Sequence, residues 1–120
     1  MRIAAVRLFV EDVAAARSFY ADLLALPPVS LESAVLLFDA GPLLIVEQAD
    51  ADARAEGLVG RFAGVSLGVS DIEALHADLV ERGAKVLKEP QDYDYGLRDF
   101  DVADLDGNMI FFGMESKKSS

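Results

Sequence analysis

The sequence has no cysteine, which excludes disulfides, thiolate metal sites and a cysteine nucleophile. It has one histidine, His76, and a lone histidine cannot make a metal-ligand cluster. No apolar run approaches the ~20 residues needed to cross a bilayer. The first residues enter a strand pattern directly, without a signal-peptide layout. Cationic residues are scarce: 11 Lys and Arg stand against 21 Asp and Glu, for a formal charge of -10 and a pI near 4.3. A phosphate backbone or an anionic membrane surface would be repelled, so neither nucleic acid nor membrane is an expected partner. These absences fit a cytoplasmic protein. The acidity would attract a cationic small molecule, or it serves only to keep the chain soluble.

What is present suits a packed domain: 120 residues, of which 52% are hydrophobic. One pattern occurs twice. Val6-Arg7-Leu8-Phe9-Val10-Glu11-Asp12-Val13 is matched by Val65-Ser66-Leu67-Gly68-Val69-Ser70-Asp71-Ile72. Alternating apolar residues predict a strand with one buried face, and the Asp that follows can cap a helix. The first half reads as a strand over 2–10, a helix over 12–24 stopped by Pro27-Pro28, a short strand over 29–31, and a hairpin of 34–38 with 43–47. Residues 49–60, rich in Ala, Asp and Glu, read as a linker with one or two helical turns. The second half repeats the order: a strand over 62–69, a helix opened by Ser70 or Asp71 with a Ser-x-x-Glu capping box at Glu73, and a strand over 84–88. A polar loop over 89–94 follows, then strands over 96–103 and 109–114 joined by an Asp-Gly turn. The fold class is therefore α+β, two tandem βαβββ modules forming curved mixed sheets around a cup, helices outside. The chain is one domain, with module one at about 1–48, module two at about 61–115 and a polar tail at 116–120.

The chain resembles the vicinal oxygen chelate superfamily, which groups glyoxalase I, extradiol dioxygenases and bleomycin-resistance proteins. The resemblance is carried by Val6-x-Leu8-x-Val10-x-Asp12 with Phe19-Tyr20 and Leu23-Leu24, and by Val65-x-Leu67-x-Val69-x-Asp71. The segment from Tyr95-Gly96-Leu97-Arg98-Asp99-Phe100 to Asp106-Gly107-Asn108 carries it too, with Leu105 where the family often has Pro. The pattern is closest to bleomycin-resistance-like members. Metal-using members place four ligands in the cup. Carried over, those positions fall at Ala5, Gly64, Phe111 and near Glu47. Only Glu47 offers a metal donor, so the resemblance implies the fold but no metal site and no cofactor. It also implies a homodimer with clefts built partly from both chains.

Strand parity identifies the face away from the helices. If Val6, Leu8 and Val10 face the helix, then Ala5, Arg7 and Phe9 face the cup, as do Leu43, Ile45 and Glu47, Gly64, Ser66 and Gly68, and Met109 and Phe111. Aromatic walls, small floor residues and a few polar anchors are what a small-molecule pocket needs. The expected ligand-binding residues are Arg7, Phe9, Glu47, Ser66, Gly68, Tyr95, Met109 and Phe111. Arg7 can bind a carboxylate, stack on a ring, or pair with Glu47. Glu47 is the candidate general base, or simply the partner of Arg7. Tyr93 and Tyr95 lie in a loop able to cover the cup or meet a dimer mate. Asp99 and Asp101 point to the cup or its rim, to attract a cation or to be solvated. His76 is expected to be structural or exposed. Two functions follow: metal-independent sequestration of an aromatic or cationic antibiotic or metabolite, or a glyoxalase-type lyase, isomerase or dioxygenase acting on a small substrate.

Overall fold

The structure, a computed structural model, describes residues 3–62, 65–94 and 96–115. The chain packs as two compact units, Met1–Phe62 with Asp104–Asn108, and Ala63–Ala103 with Met109–Ser120.

The first unit carries strands β1 (Ala5–Val10), β2 (Pro28–Ser30), β3 (Val35–Asp39) and β4 (Leu43–Gln48), in the sheet order β1-β4-β3-β2. β1 runs parallel to β4, and β4-β3-β2 is antiparallel. Helix α1 (Val13–Arg17) opens on Asp12, whose Oδ1 accepts from Ala14 N at 3.0 Å. It runs into a π-helical segment, Ser18–Leu23, where Leu24 N donates to Phe19 O, five residues back. The wider turn sets Phe19 and Tyr20 side by side, both buried, with ring centroids 4.9 Å apart. They share the core with Leu8, Val10, Leu36, Phe38, Leu44 and Val46. The segment ends where Ala25 takes a left-handed conformation with φ 55° ahead of Pro27 and Pro28. A second short helix, α2, spans Ala51–Ala55 inside the expected linker.

The second unit repeats the topology. Strands β5 (Val65–Gly68), β6 (Lys85–Asp92), β7 (Leu97–Ala103) and β8 (Met109–Glu115) form a sheet in the order β5-β8-β7-β6, with β5 parallel to β8. Helix α3 (Ile72–Glu81) buries Ile72 and Leu79 in the layer that holds Phe100, Val102, Ile110 and Phe112. The protein is thus α+β, with two four-stranded mixed sheets in two similar modules. Among the described residues no helix is long and apolar enough to cross a membrane.

Two local expectations need correction. Asp71 caps α3 by accepting from Ala74 N at 3.1 Å, while Glu73 binds Arg98 instead of closing a capping box. Residues 89–92 are the second half of β6 and not a loop. Pro90 is tolerated because β6 is an edge strand whose register shifts on both sides of Lys88.

Candidate functional site

On each sheet, one face meets the helix layer and the other carries the residues singled out by parity. In the first unit Leu8 and Val10 are buried, while Arg7 and Phe9 lie on the opposite face. Parallel pairing sets Arg7 beside Ile45 and Phe9 beside Glu47. Arg7 Nε then reaches Glu47 Oε1 at 3.0 Å, with the Arg7 side chain more than half exposed. The pair is made between neighbouring strands of one sheet, and it occupies the carboxylate that the sequence offered as a base.

The corresponding face of the second sheet is built in rows across its four strands. Ser66, Phe111, Asp101 and Lys88 form one row, and Gly68, Gly113, Asp99 and Gln91 the next. Met109 and Ala103 follow on the other side of the first row. Lys88 Nζ sits 3.2 Å from Asp99 Oδ1 and donates to the Tyr93 hydroxyl oxygen. It also lies 6.0 Å from the centroid of the Phe111 ring, at the limit of cation–π range. The Tyr93 hydrogen bond is the main cause holding the Lys88 ammonium above its ordinary pKa, with Asp99 adding to it.

Asp101 stands apart in this row. It is 4% exposed, and its Oδ1 has no hydrogen-bond partner among the described residues. Burial pushes its carboxyl above the usual range, Asp99 pushes the same way, and Lys88 opposes them. The expectation of a solvated Asp101 is therefore overturned: parity gave its face correctly but could not give its depth. Two small residues leave room nearby. A Cβ placed on Gly68 would meet nothing within 4 Å, and one on Gly113 would meet Ser66 Oγ at 3.4 Å and Asp99 Cβ at 3.6 Å. Phe111 and Met109 are half-buried on this face.

The structure thus brings Arg7, Phe9 and Glu47 together on the first sheet, and Ser66, Gly68, Met109 and Phe111 together on the second. Tyr95 and Gly64 lie outside the described residues. Lys88 and Asp101 were not among the expected binding residues. The signal available for them was the alternation Asp99-x-Asp101 opposite a lysine, obscured by reading residues 89–94 as a loop. His76 lies on the helix side, its ring edge-on to Phe100 at 5.1 Å.

Of the ligand positions that metal-using relatives employ, Ala5 and Phe111 carry no donor atom and Glu47 is held by Arg7. Among the described residues no group of three or more His, Cys, Asp or Glu side chains is placed to hold an ion. The donor set does not fit the family's metal.

The sequence finds no match among curated proteins. Solved structures share the fold. An antibiotic binding protein, TnmS3 from Streptomyces sp. CB03234, is 23% identical with a TM-score of 0.80, covering 97% of each chain. A member of the glyoxalase/bleomycin resistance protein/dioxygenase superfamily from Sphaerobacter thermophilus DSM 20745 is 24% identical with a TM-score of 0.79, covering 96% of this chain and 98% of that one. TioX from Micromonospora sp. ML1 is 20% identical with a TM-score of 0.72, covering 96% and 99%. The family model described as the Glyoxalase/Bleomycin resistance protein/Dioxygenase superfamily matches residues 2–112. With that match spanning nearly all of its length, the chain belongs to the glyoxalase/bleomycin resistance protein/dioxygenase superfamily.

Proposed function

We propose that this protein binds a small aromatic or cationic molecule, an antibiotic or a metabolite, without a metal and removes it from solution by mass action. The observation that carries this reading is the face of the second sheet turned away from α3. An aromatic ring, Phe111, lies beside a buried carboxyl, Asp101, and beside open space above Gly68. Apolar walls with one or two fixed polar groups are what orient a flat ligand. The Arg7–Glu47 pair beside Phe9 gives the first unit's own sheet a polar group as well. TnmS3, an antibiotic binding protein of the same fold, supports binding of such a ligand. The protein is further proposed to act in the cytoplasm as a homodimer. The partly exposed apolar residues Phe9, Ile45 and Leu37 on that face of the first sheet, Ile45 and Leu37 as cross-strand partners, support a cover there.

No bond need break in such a mechanism. A ligand that prefers the folded state raises its stability in proportion to the logarithm of ligand concentration. Thermal unfolding of chelator-treated protein should therefore shift upward with bleomycin or 9-aminoacridine, and the shift should be lost in Gly68→Leu, whose side chain fills the open space. No shift with any aromatic cation would overturn the reading. A glyoxalase-type lyase, isomerase or dioxygenase would need Glu47 as its base. Turnover of a small substrate abolished by Glu47→Gln would establish that alternative.

A further inference from the structure

We infer that Asp101 is the residue that selects the ligand, by accepting a hydrogen bond from a protonated nitrogen on an aromatic ring. This rests on the binding function proposed above and names the chemistry of its site. Asp101 is buried to within 4% of full exclusion, and its Oδ1 has no partner among the described residues. A buried carboxyl left in that condition is costly, and natural interiors seldom keep one without a use.

The neighbours show what is missing. Lys88 is the cation nearest in the row, but its ammonium is engaged by Asp99 at 3.2 Å and by the Tyr93 hydroxyl. Asp99 Oδ1 has this ion pair but makes no hydrogen bond, and among the described residues Asp101 Oδ1 has neither. On the other side Asp101 is the cross-strand partner of Phe111, whose ring is partly exposed. A planar ring laid on Phe111 has its edge beside Asp101. The small residues Gly68 and Gly113 leave the adjoining row low enough for the ring to extend over it. An N–H on the ring edge supplies the donor that Oδ1 lacks, and a positive charge on that ring balances the cluster. The chain's net charge of -10 draws such a cation in from solution. His76 Nε2, also buried without a partner among the described residues, lies on the other face and takes no part.

The test uses two tricyclic probes of similar shape, cationic 9-aminoacridine and neutral 9-acridone, titrated calorimetrically into wild-type protein and Asp101→Asn. The wild type should prefer the cation by about tenfold or more, the range expected for a hydrogen bond to a charged group. In Asp101→Asn that preference should vanish while 9-acridone binds as before. Equal binding of both probes to the wild type, or a preference that survives the substitution, overturns the role of Asp101 and leaves the binding function standing. A preference for 9-acridone means that the carboxyl is a donor and also overturns the inference. Failure of both probes to bind overturns the function and the inference together. A readout without ligand guards against misfolding. Asp101→Asn should unfold at a temperature equal to or above that of the wild type, because it removes an unpartnered buried acid. A lowered midpoint would show the carboxyl to be structural and would contradict the inference.

Discussion

The Tyr20 hydroxyl donates to Asp104 Oδ2 at 2.7 Å, joining residues 84 positions apart in the interior of the first unit. Asp104 Oδ1 accepts from the backbone N–H groups of Asp106 and Asn108, both at 2.9 Å. Asn108 in turn donates to Phe9 O and accepts from Phe62 N. The turn that reads in sequence as a simple Asp-Gly hairpin is thus the polar knot of this unit. Burial, then Asp104, holds the Tyr20 hydroxyl far above its ordinary pKa, so it stays a donor at every physiological pH.

Tyr20→Phe should cost about 1–2 kcal/mol, because Asp104 Oδ2 keeps its bond from Asn108 Nδ2. Asn108→Ala should cost about 3 kcal/mol, since it strands Phe62 N and removes a donor from Phe9 O as well. Urea denaturation of both variants measures the difference. Equal losses would show that the knot is not organised around Asn108.

Backbone conformation gives a second contrast. Gly60 has φ 78°, and a Cβ there would lie 2.1 Å from Asp106 O. Gly60→Ala should destabilise by about 2 kcal/mol or more, from steric overlap with a backbone atom and left-handed strain. Ala25, at φ 55°, already bears that strain. Ala25→Gly should therefore stabilise by about 1 kcal/mol, visible as a raised denaturation midpoint.

Asp101 predicts a pH dependence of definite sign. Its folded carboxyl holds a proton more tightly than the unfolded one, by burial first and by Asp99 next, against Lys88. Between the two pKa values the folded state binds more protons, so stability falls as pH rises through that window and stays reduced above it. Asp101→Asn should gain most over wild type near neutral pH and least in acid. Asp106, raised mainly by burial, keeps a slope of the same sign in both proteins. Denaturation curves from about pH 4 to pH 7 compare the two. Parallel profiles would show that Asp101 is not perturbed.

The Arg7–Glu47 pair should matter little to folding. Both side chains are substantially exposed, at 57% and 30%, so Glu47→Gln should change stability by under about 1 kcal/mol. A larger loss by urea denaturation would mean that the pair is buried in the working protein.

Much of this was legible in the sequence, for reasons specific to each element. The period-two alternation of Val6, Leu8 and Val10 fixed which side of β1 is buried, and so placed Arg7 and Glu47 on one face. The duplicated Asp after each first strand located both helix caps. Alternation carries no information on depth, which is why it left Asp101 open between attracting a cation and being solvated. Pro90 and its polar neighbours mimic a loop, although an edge strand with shifted register accommodates them. Tyr20 and Asp104 are too far apart in sequence for any local pattern to pair them.

Ligand binding without a metal is tested by measuring metal content and affinity on the same protein. Protein is stripped with chelator, divided, and half is incubated with nickel, zinc, manganese and ferrous iron and then dialysed. Metal content and 9-aminoacridine affinity are determined on both halves. Neither half should hold a stoichiometric ion, and both should bind 9-aminoacridine with the same affinity. A stoichiometric ion that survives dialysis, with binding found only in the loaded half, would contradict binding without a metal.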